Sequence, residues 1–458
     1  MFVGRKEELN ILNNFINSND KTFILYGKRR VGKTELIKET FRINKAPYIY
    51  FECTKDTLKN NVLSFIDVLV SNNVLPERMD LSSFIDVFRI LDISNKKLNI
   101  VIDEYPYLYE FNNNLQIDSD FQKIMDNYLK NIKLIICGSN IAVMSSLLEE
   151  KNSLFGRFDK TLLLNELSYL EAQKFYNDKS YYEKIAFYSI YGGSPFLNKR
   201  INPKLSLEDN IKNTFLDINS DIFVYCNNLL FTDVPSSINI NSLCLILKNG
   251  KKTCSEIENA MRVDKNGGMN KKLDLLVKMN LISKYQPINK TGNPKSTRYE
   301  INDNSIRFFY GFIYQNLNIL YILGPDRFYE EYIKDKIITF ISHRFEEIVR
   351  NYYSIAIKKG MYKDVINIGT YYYDDSKNKT NGEFDVALML KNNTYKIVEV
   401  KYYKDKVLTL KEMKEEYNQV KNIKEINVSD LIFVSTSEIE KTDEFEILNI
   451  KDIYFSWK

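Results

Sequence analysis

The chain has 458 residues, 44% of them hydrophobic and 27% charged, with a formal net charge of +4. That length exceeds what one core serves and predicts about two to four domains, while the balance of apolar and charged residues excludes a disordered or fibrous chain. A single histidine, His343, and five scattered cysteines with no C-x-x-C pair exclude His- and Cys-built zinc sites and a disulfide framework.

Any chemistry must therefore run on carboxylates, lysine, arginine, hydroxyls and oxygen-bound metal ions. No apolar run approaches the roughly 20 residues that cross a bilayer. The opening "MFVGRKEELN" is charged within five residues and has no apolar core, so no signal peptide is read there. A cytoplasmic location without membrane contact is expected.

In chain order, short apolar runs stand at 22–27 (TFILYG), 47–53 (PYIYFEC), 98–104 (LNIVIDE), 133–138 (KLIICG) and 160–165 (KTLLLN). Helical patterns such as "KTELIKETF" and "DFQKIMDNYL" separate them. Continuous apolar strands alternating with helices predict an α/β fold with a parallel sheet.

Between the first run and its helix, "GKRRVGKT" fits G-x-x-x-x-G-K-[ST] from Gly27 to Thr34. Backbone N–H groups of such a loop (Gly27, Lys28, Arg29, Arg30, Val31, Gly32) and of the helix start cradle phosphates. Lys33 would reach the β- and γ-phosphates, and the Thr34 hydroxyl would bind Mg²⁺. In "LNIVIDEY", Asp103 ends a strand where a Mg²⁺-water ligand belongs, and Glu104 follows where a carboxylate could orient the attacking water. Either motif alone has a bland explanation, but together they predict an ATP site that hydrolyses its ligand with Mg²⁺.

Residues 168–235 read as helical, with Ser168 as N-cap. Residues 236–300 then hold twelve Lys/Arg against five Asp/Glu. Three short helices and two strands around Gly-Asn-Pro are the winged-helix pattern, with the third helix, about 269–279, as the groove-entering one. A basic island of this kind predicts DNA as partner; a lysine-rich solvated face is the alternative. Residues 305–340 are aromatic and helical, and a last domain opens near 341 with "HRFEEIVRNYYSIAI".

That domain contains "GEFDVALMLKNNTYKIVEVK", residues 382–401. With "KNN" as hairpin loop, Asp385 lies opposite Glu399 and Glu383 opposite Lys401, all on one face, while Phe384, Val386, Val398 and Val400 take the other. Such oxygen ligands suit Mg²⁺ or Mn²⁺. The alternative is the solvated side of an ordinary hairpin.

These motifs resemble the archaeal-type P-loop ATPases, an AAA+/STAND-related group, over nearly the whole length. "FVGRKEEL" looks like the opening box of that family, though Arg5 reads first as a surface residue at a helix start. "ICGSN" resembles the strand-four sensor, which implies Ser139 near the γ-phosphate. "SLFGRF" resembles the Gly-Arg segment, implying Arg157 as an arginine finger in its own chain or across an oligomer; an ordinary salt bridge is the alternative. "YGGSPFL" resembles the lid element, without the arginine many AAA+ proteins carry there as a second sensor.

The C-terminal pattern looks like a PD-(D/E)xK nuclease core. That resemblance implies a catalytic set of Glu346, with Glu347 competing by register, and Asp385, Glu399 and Lys401, with metal on Asp385 and Glu399. The expected domains are a P-loop core of the ASCE/AAA+-like type (1–167), a helical lid (168–235), a winged helix (236–303), a helical connector (304–340) and a restriction-endonuclease-like α/β domain (341–458).

Overall fold

Alternating apolar side chains that point to both faces of one strand require cover on both sides, and the first unit of the chain is built this way. A computed structural model describes residues 2–229, 231–232, 234–248, 250–264, 267–375, 380–423 and 426–455. The chain divides into two compact units: Met1–Leu167 with Ser194–Phe196 and Lys278–Asn280, and the remainder. In the first unit, β1 (Thr22–Tyr26), β2 (Ile49–Glu52), β3 (Leu98–Asp103), β4 (Ile132–Gly138) and β5 (Lys160–Leu163) form a parallel sheet in the order β2-β3-β4-β1-β5. Ile24, Ile100, Ile102 and Ile136 enter one core cluster, and Phe23, Leu25, Val101 and Ile135 enter another. This is the period-2 split of a sheet sandwiched between helices.

The expected parallel α/β sheet is thus present, with each strand within two residues of its expected ends at most positions. Because β1, β4 and β3 are neighbouring parallel strands, the loops after all three open on one edge, where ligands of parallel α/β sheets bind.

In the second unit, helices Ile240–Leu247, Cys254–Met261 and Gly268–Lys278 accompany β6 (Lys252–Thr253), β7 (Ile282–Tyr285) and β8 (Arg298–Ile301), an antiparallel sheet ordered β6-β8-β7. Thr253 and Glu256 form a capping box that starts the second of these helices. The long helix Ile337–Lys358 buries Ile337, Ile341, Phe345, Ile348, Tyr352 and Ala356, a helical stripe three to four residues apart.

A mixed sheet follows, ordered β13-β12-β11-β10-β9, from β9 (Val365–Asp375), β10 (Thr380–Leu390), β11 (Tyr395–Lys401), β12 (Val428–Ser435) and β13 (Glu446–Ile447). The β10–β11 register, Ala387 with Ile397 and Met389 with Tyr395, is the one a loop at 391–393 dictates. One expectation fails. The β9–β10 ladder shifts between Phe384 and Ala387, and these two residues, three apart, enter the same core cluster as Ile397. A bulge at Asp385–Val386 breaks the period of two, so the charged residues before and after it do not share one face.

Candidate functional site

The nucleotide loop starts at Gly27, where a Cβ would stand 2.3 Å from the Leu164 carbonyl oxygen. Only glycine fits without moving backbone. Gly32, at φ 97°, supplies the left-handed turn into the helix Lys33–Asn44. Lys33 is buried and donates from Nζ to the carbonyls of Gly27 (2.9 Å) and Lys28 (3.1 Å), so its ammonium lies across its own loop. Burial pushes its pKa below the ordinary lysine value, against the pull of Glu104 and Asp103.

The acidic side of the site is equally tied. Thr34 Oγ1 donates to Asp103 Oδ2 at 3.2 Å, and the Tyr50 hydroxyl from β2 donates to the same oxygen. The Glu104 backbone N–H donates to Asp103 Oδ1 at 2.8 Å. Glu104 itself has left-handed backbone, φ 50°, and its Oε2 accepts from Ser139 N (3.1 Å) and Oγ (2.9 Å). The structure thus brings together Lys33, Thr34, Asp103, Glu104 and Ser139. Around the loop, Lys28 pairs with Glu166 at 3.3 Å, Arg29 donates to the Tyr107 hydroxyl at 2.9 Å, and the Arg30 guanidinium lies 3.7 Å from the Phe196 ring centroid. Val31 is buried in the core beneath.

Two arginines stand elsewhere than expected. Arg5 is buried, not on the surface; it donates to the Val31 carbonyl (3.1 Å) and the Asn165 carbonyl (2.5 Å) and so braces the loop from behind. Arg157 is not brought to the phosphates of its own chain. It pairs with both oxygens of Asp126 (3.0 and 3.1 Å), and its carbonyl accepts from Thr22 Oγ1 at 2.7 Å. Thr22 begins β1 and Gly27 follows its end, a separation of about 16 Å at some 3.3 Å per strand residue. The ordinary ion pair is what this geometry supports. Tyr50, Tyr107 and Glu166 were not singled out by sequence, and nothing local marks them.

The second group of charges lies in the second unit. Lys251 Nζ, in the turn before β6, is 2.6 Å from Glu383 Oε1 and 3.4 Å from Asp385 Oδ1. Lys401 Nζ is 2.6 Å from Glu416 and 3.6 Å from Glu399. Glu346 has His343 at 3.6 Å, and Glu347 is engaged by Arg307 (2.6 Å) and Arg344 (3.2 Å). Burial raises the pKa of Asp385 and of Glu399; Glu346 adds to both shifts, while Lys251 opposes the first and Lys401 the second. The expected single face of Asp385, Glu399 and Lys401 is therefore split by the bulge into two ion-paired groups. Among the described residues, no three acidic, His or Cys side chains are placed to hold one metal ion.

Residues 2–197 match the family described as an ATPase domain predominantly from Archaea, and residues 309–418 match one of archaeal and bacterial proteins of unknown function. An uncharacterized protein of Methanocaldococcus jannaschii is 29% identical over 324 residues, 70% of this chain and 70% of its own. An uncharacterized ATP-binding protein of that organism is 60% identical over 40 residues, 8% of this chain and 68% of that one. The Walker-type ATPase of Pyrococcus abyssi has a similar fold, with a TM-score of 0.50 at 18% identity over 68% of this chain and 96% of that one. Residues 2–197 accordingly form an ATPase domain of the predominantly archaeal kind, and residues 309–418 a domain shared with archaeal and bacterial proteins of unknown function.

Proposed function

We propose that the chain is a Mg²⁺-dependent ATPase that acts on DNA, carried by one observation: Lys33, Thr34, Asp103, Glu104 and Ser139 converge on the edge where β1, β3 and β4 end. Lys33 exchanges its two loop carbonyls for phosphate oxygens, which restores the charge that burial disfavours. Thr34 and Asp103 would hold the Mg²⁺, whose part is to neutralise charge on the phosphates. Glu104, released from Ser139, orients the attacking water, and the Ser139 hydroxyl turns to the γ-phosphate. The site is expected to work in the cytoplasm, and no described helix is long and apolar enough to cross a membrane.

DNA is assigned to the winged-helix region 236–303. Lys271 and Lys272 are exposed on the helix Gly268–Lys278. Lys271→Glu with Lys272→Glu is expected to weaken duplex binding and to flatten its salt dependence, by about 0.9 in slope for each lost phosphate contact. Fluorescence anisotropy across a salt series measures both. An unchanged slope would assign the island to solvent.

A second reading, an ATP-controlled switch or scaffold on a nuclease-like fold, is favoured by the ion pairing of Asp385 and Lys401. As they stand, these residues do not fit a metal cage, and no cleavage step is derived through them. Plasmid nicking with Mn²⁺ by the full chain separates the readings. If it cuts, Asp385→Ala, Glu399→Ala and Lys401→Ala should each stop cutting and leave ATP turnover intact.

A further inference from the structure

Strand β2 reads Ile49-Tyr50-Phe51-Glu52, and its period of two sends neighbouring side chains to opposite faces of the sheet. Ile49 and Phe51 enter the core cluster of one face. Tyr50 packs against the other cluster, which holds Leu36, Ile37 and Phe41 of the helix Lys33–Asn44. Thr34 stands in the first turn of that helix. Strand pairing sets Glu52 beside Asp103 and Tyr50 beside Val101, so Tyr50 lies below the end of β3, on the helix side. Its side chain is long enough to reach up past the strand end, and the hydroxyl arrives at the Asp103 carboxylate.

Asp103 is 4% exposed, so protein groups rather than bulk water serve its oxygens. An ionised carboxylate carries no proton and offers about four lone-pair positions, two on each oxygen. Among the described residues, Oδ2 accepts from the Thr34 and Tyr50 hydroxyls, and Oδ1 accepts from the Glu104 N–H at 2.8 Å. Oδ2 is thereby filled, and Oδ1 keeps one position open. The Thr34 hydroxyl can give a lone pair to the nucleotide's Mg²⁺ while its proton stays on Oδ2. The Tyr50 proton has no other acceptor among the described residues, so it holds the carboxylate in one orientation.

We propose that Tyr50 is a specificity-determining positioning residue of the ATPase site: by filling Oδ2 of Asp103 it leaves one acceptor, on Oδ1, for a water carried by the Mg²⁺ of Mg·ATP. The inference rests on the reading of Thr34 and Asp103 as the magnesium side of that site. Mg²⁺ dehydrates reluctantly and demands near-octahedral geometry, so a carboxylate that meets it through a water suits it. Ca²⁺ tolerates irregular geometry and takes carboxylates directly, through one oxygen or both. With Oδ2 filled, Asp103 has no second oxygen to give, and Ca·ATP gains little from it. Tyr50→Phe keeps the ring in the core and withdraws only the proton. Oδ2 then regains a lone pair, the carboxylate can swing, and direct ligation of the larger ion opens. Tyr50 itself touches neither nucleotide nor metal; it acts through Asp103.

The test is equilibrium binding of a fluorescent, non-hydrolysable ATP analogue to the full-length protein, in Mg²⁺, in Ca²⁺ and in chelator alone. Tyr50→Phe should lower the ratio of the Ca²⁺ to the Mg²⁺ dissociation constant at least about fivefold, the scale of one net hydrogen bond. Binding in chelator should stay as in wild type. Asp103→Ala should narrow the difference between Mg²⁺ and chelator, and adding Tyr50→Phe to it should leave the ratio where Asp103→Ala alone put it. A hydroxyl that only supports the fold would weaken binding with both ions alike, so an unchanged ratio in Tyr50→Phe overturns the inference. If Asp103→Ala still narrows the Mg²⁺ difference in that case, the magnesium reading of Asp103 survives alone. Mg²⁺ dependence untouched by Asp103→Ala overturns that reading, and the inference with it.

Discussion

Lys33→Ala is expected to abolish ATP hydrolysis, with turnover reduced at least about 100-fold, the usual loss when one preorganised donor to developing charge is removed. The Lys33 ammonium is held by the carbonyls of Gly27 and Lys28, both replaceable by phosphate oxygens. Glu104→Gln should behave differently. The amide keeps the shape that Ser139 holds and leaves Thr34 and Asp103 untouched, so nucleotide should still bind while hydrolysis slows to a comparable degree. Phosphate release and binding of a fluorescent nucleotide, measured on the same preparations, separate the two effects. Normal turnover in Glu104→Gln would remove it as the water-orienting carboxylate and leave Asp103 as the nearest replacement.

The nucleotide side was legible because its signals are local. A glycine loop between a strand and a helix fixes its own geometry within eight residues; Asp103 stands out because it ends an apolar strand, and Ser139 through the resemblance of "ICGSN" to a family sensor segment. What the sequence does not display is strand order. With β4 between β1 and β3, Ser139 comes within hydrogen-bond reach of Glu104, and Tyr50 on β2 reaches Asp103 from the other side. For Arg157 a signal against a role at the phosphates of its own chain existed. A residue just ahead of β5 in a parallel sheet must sit at the edge opposite the one where β1 hands over to the glycine loop, and that is where the Arg157–Asp126 pair lies.

The C-terminal hairpin failed for a different reason. Its loop and register follow from the pattern of residues, but a bulge is set by the partner strand, and one extra residue at Asp385–Val386 redistributes every charge that precedes it. Lys251 is more than 130 positions away from Glu383, and its pairing with that residue is purely tertiary.

The largest stability effect is expected at Arg307, which no motif marked. Its side chain is 8% exposed, and it is gripped on every donor edge. NH1 donates to Glu347 at 2.6 Å, NH2 lies 3.3 Å from Glu300 on β8, and Nε donates to the Ile301 carbonyl. Glu347 belongs to the long helix Ile337–Lys358, so one guanidinium ties that helix to the small antiparallel sheet. Burial raises the pKa of Glu300 and Arg307 opposes the shift, so removal of the arginine would leave two carboxylates facing each other in a poorly solvated place. Arg307→Ala is expected to cost the second unit about 3–5 kcal/mol, the range for breaking a buried ion pair from one side. Arg307→Lys should recover only part of it, because a single ammonium cannot make the forked contacts. Double replacement of Arg307 and Glu300 by apolar residues of similar volume should be milder than Arg307→Ala alone, since Glu300 is then not left uncompensated and Glu347 keeps Arg344 at 3.2 Å. Calorimetry that follows the unfolding of this unit decides the order of the three. Arg307→Ala melting with wild type would mean that water already reaches Glu300 and Glu347, and the helix would then be held by its apolar stripe alone.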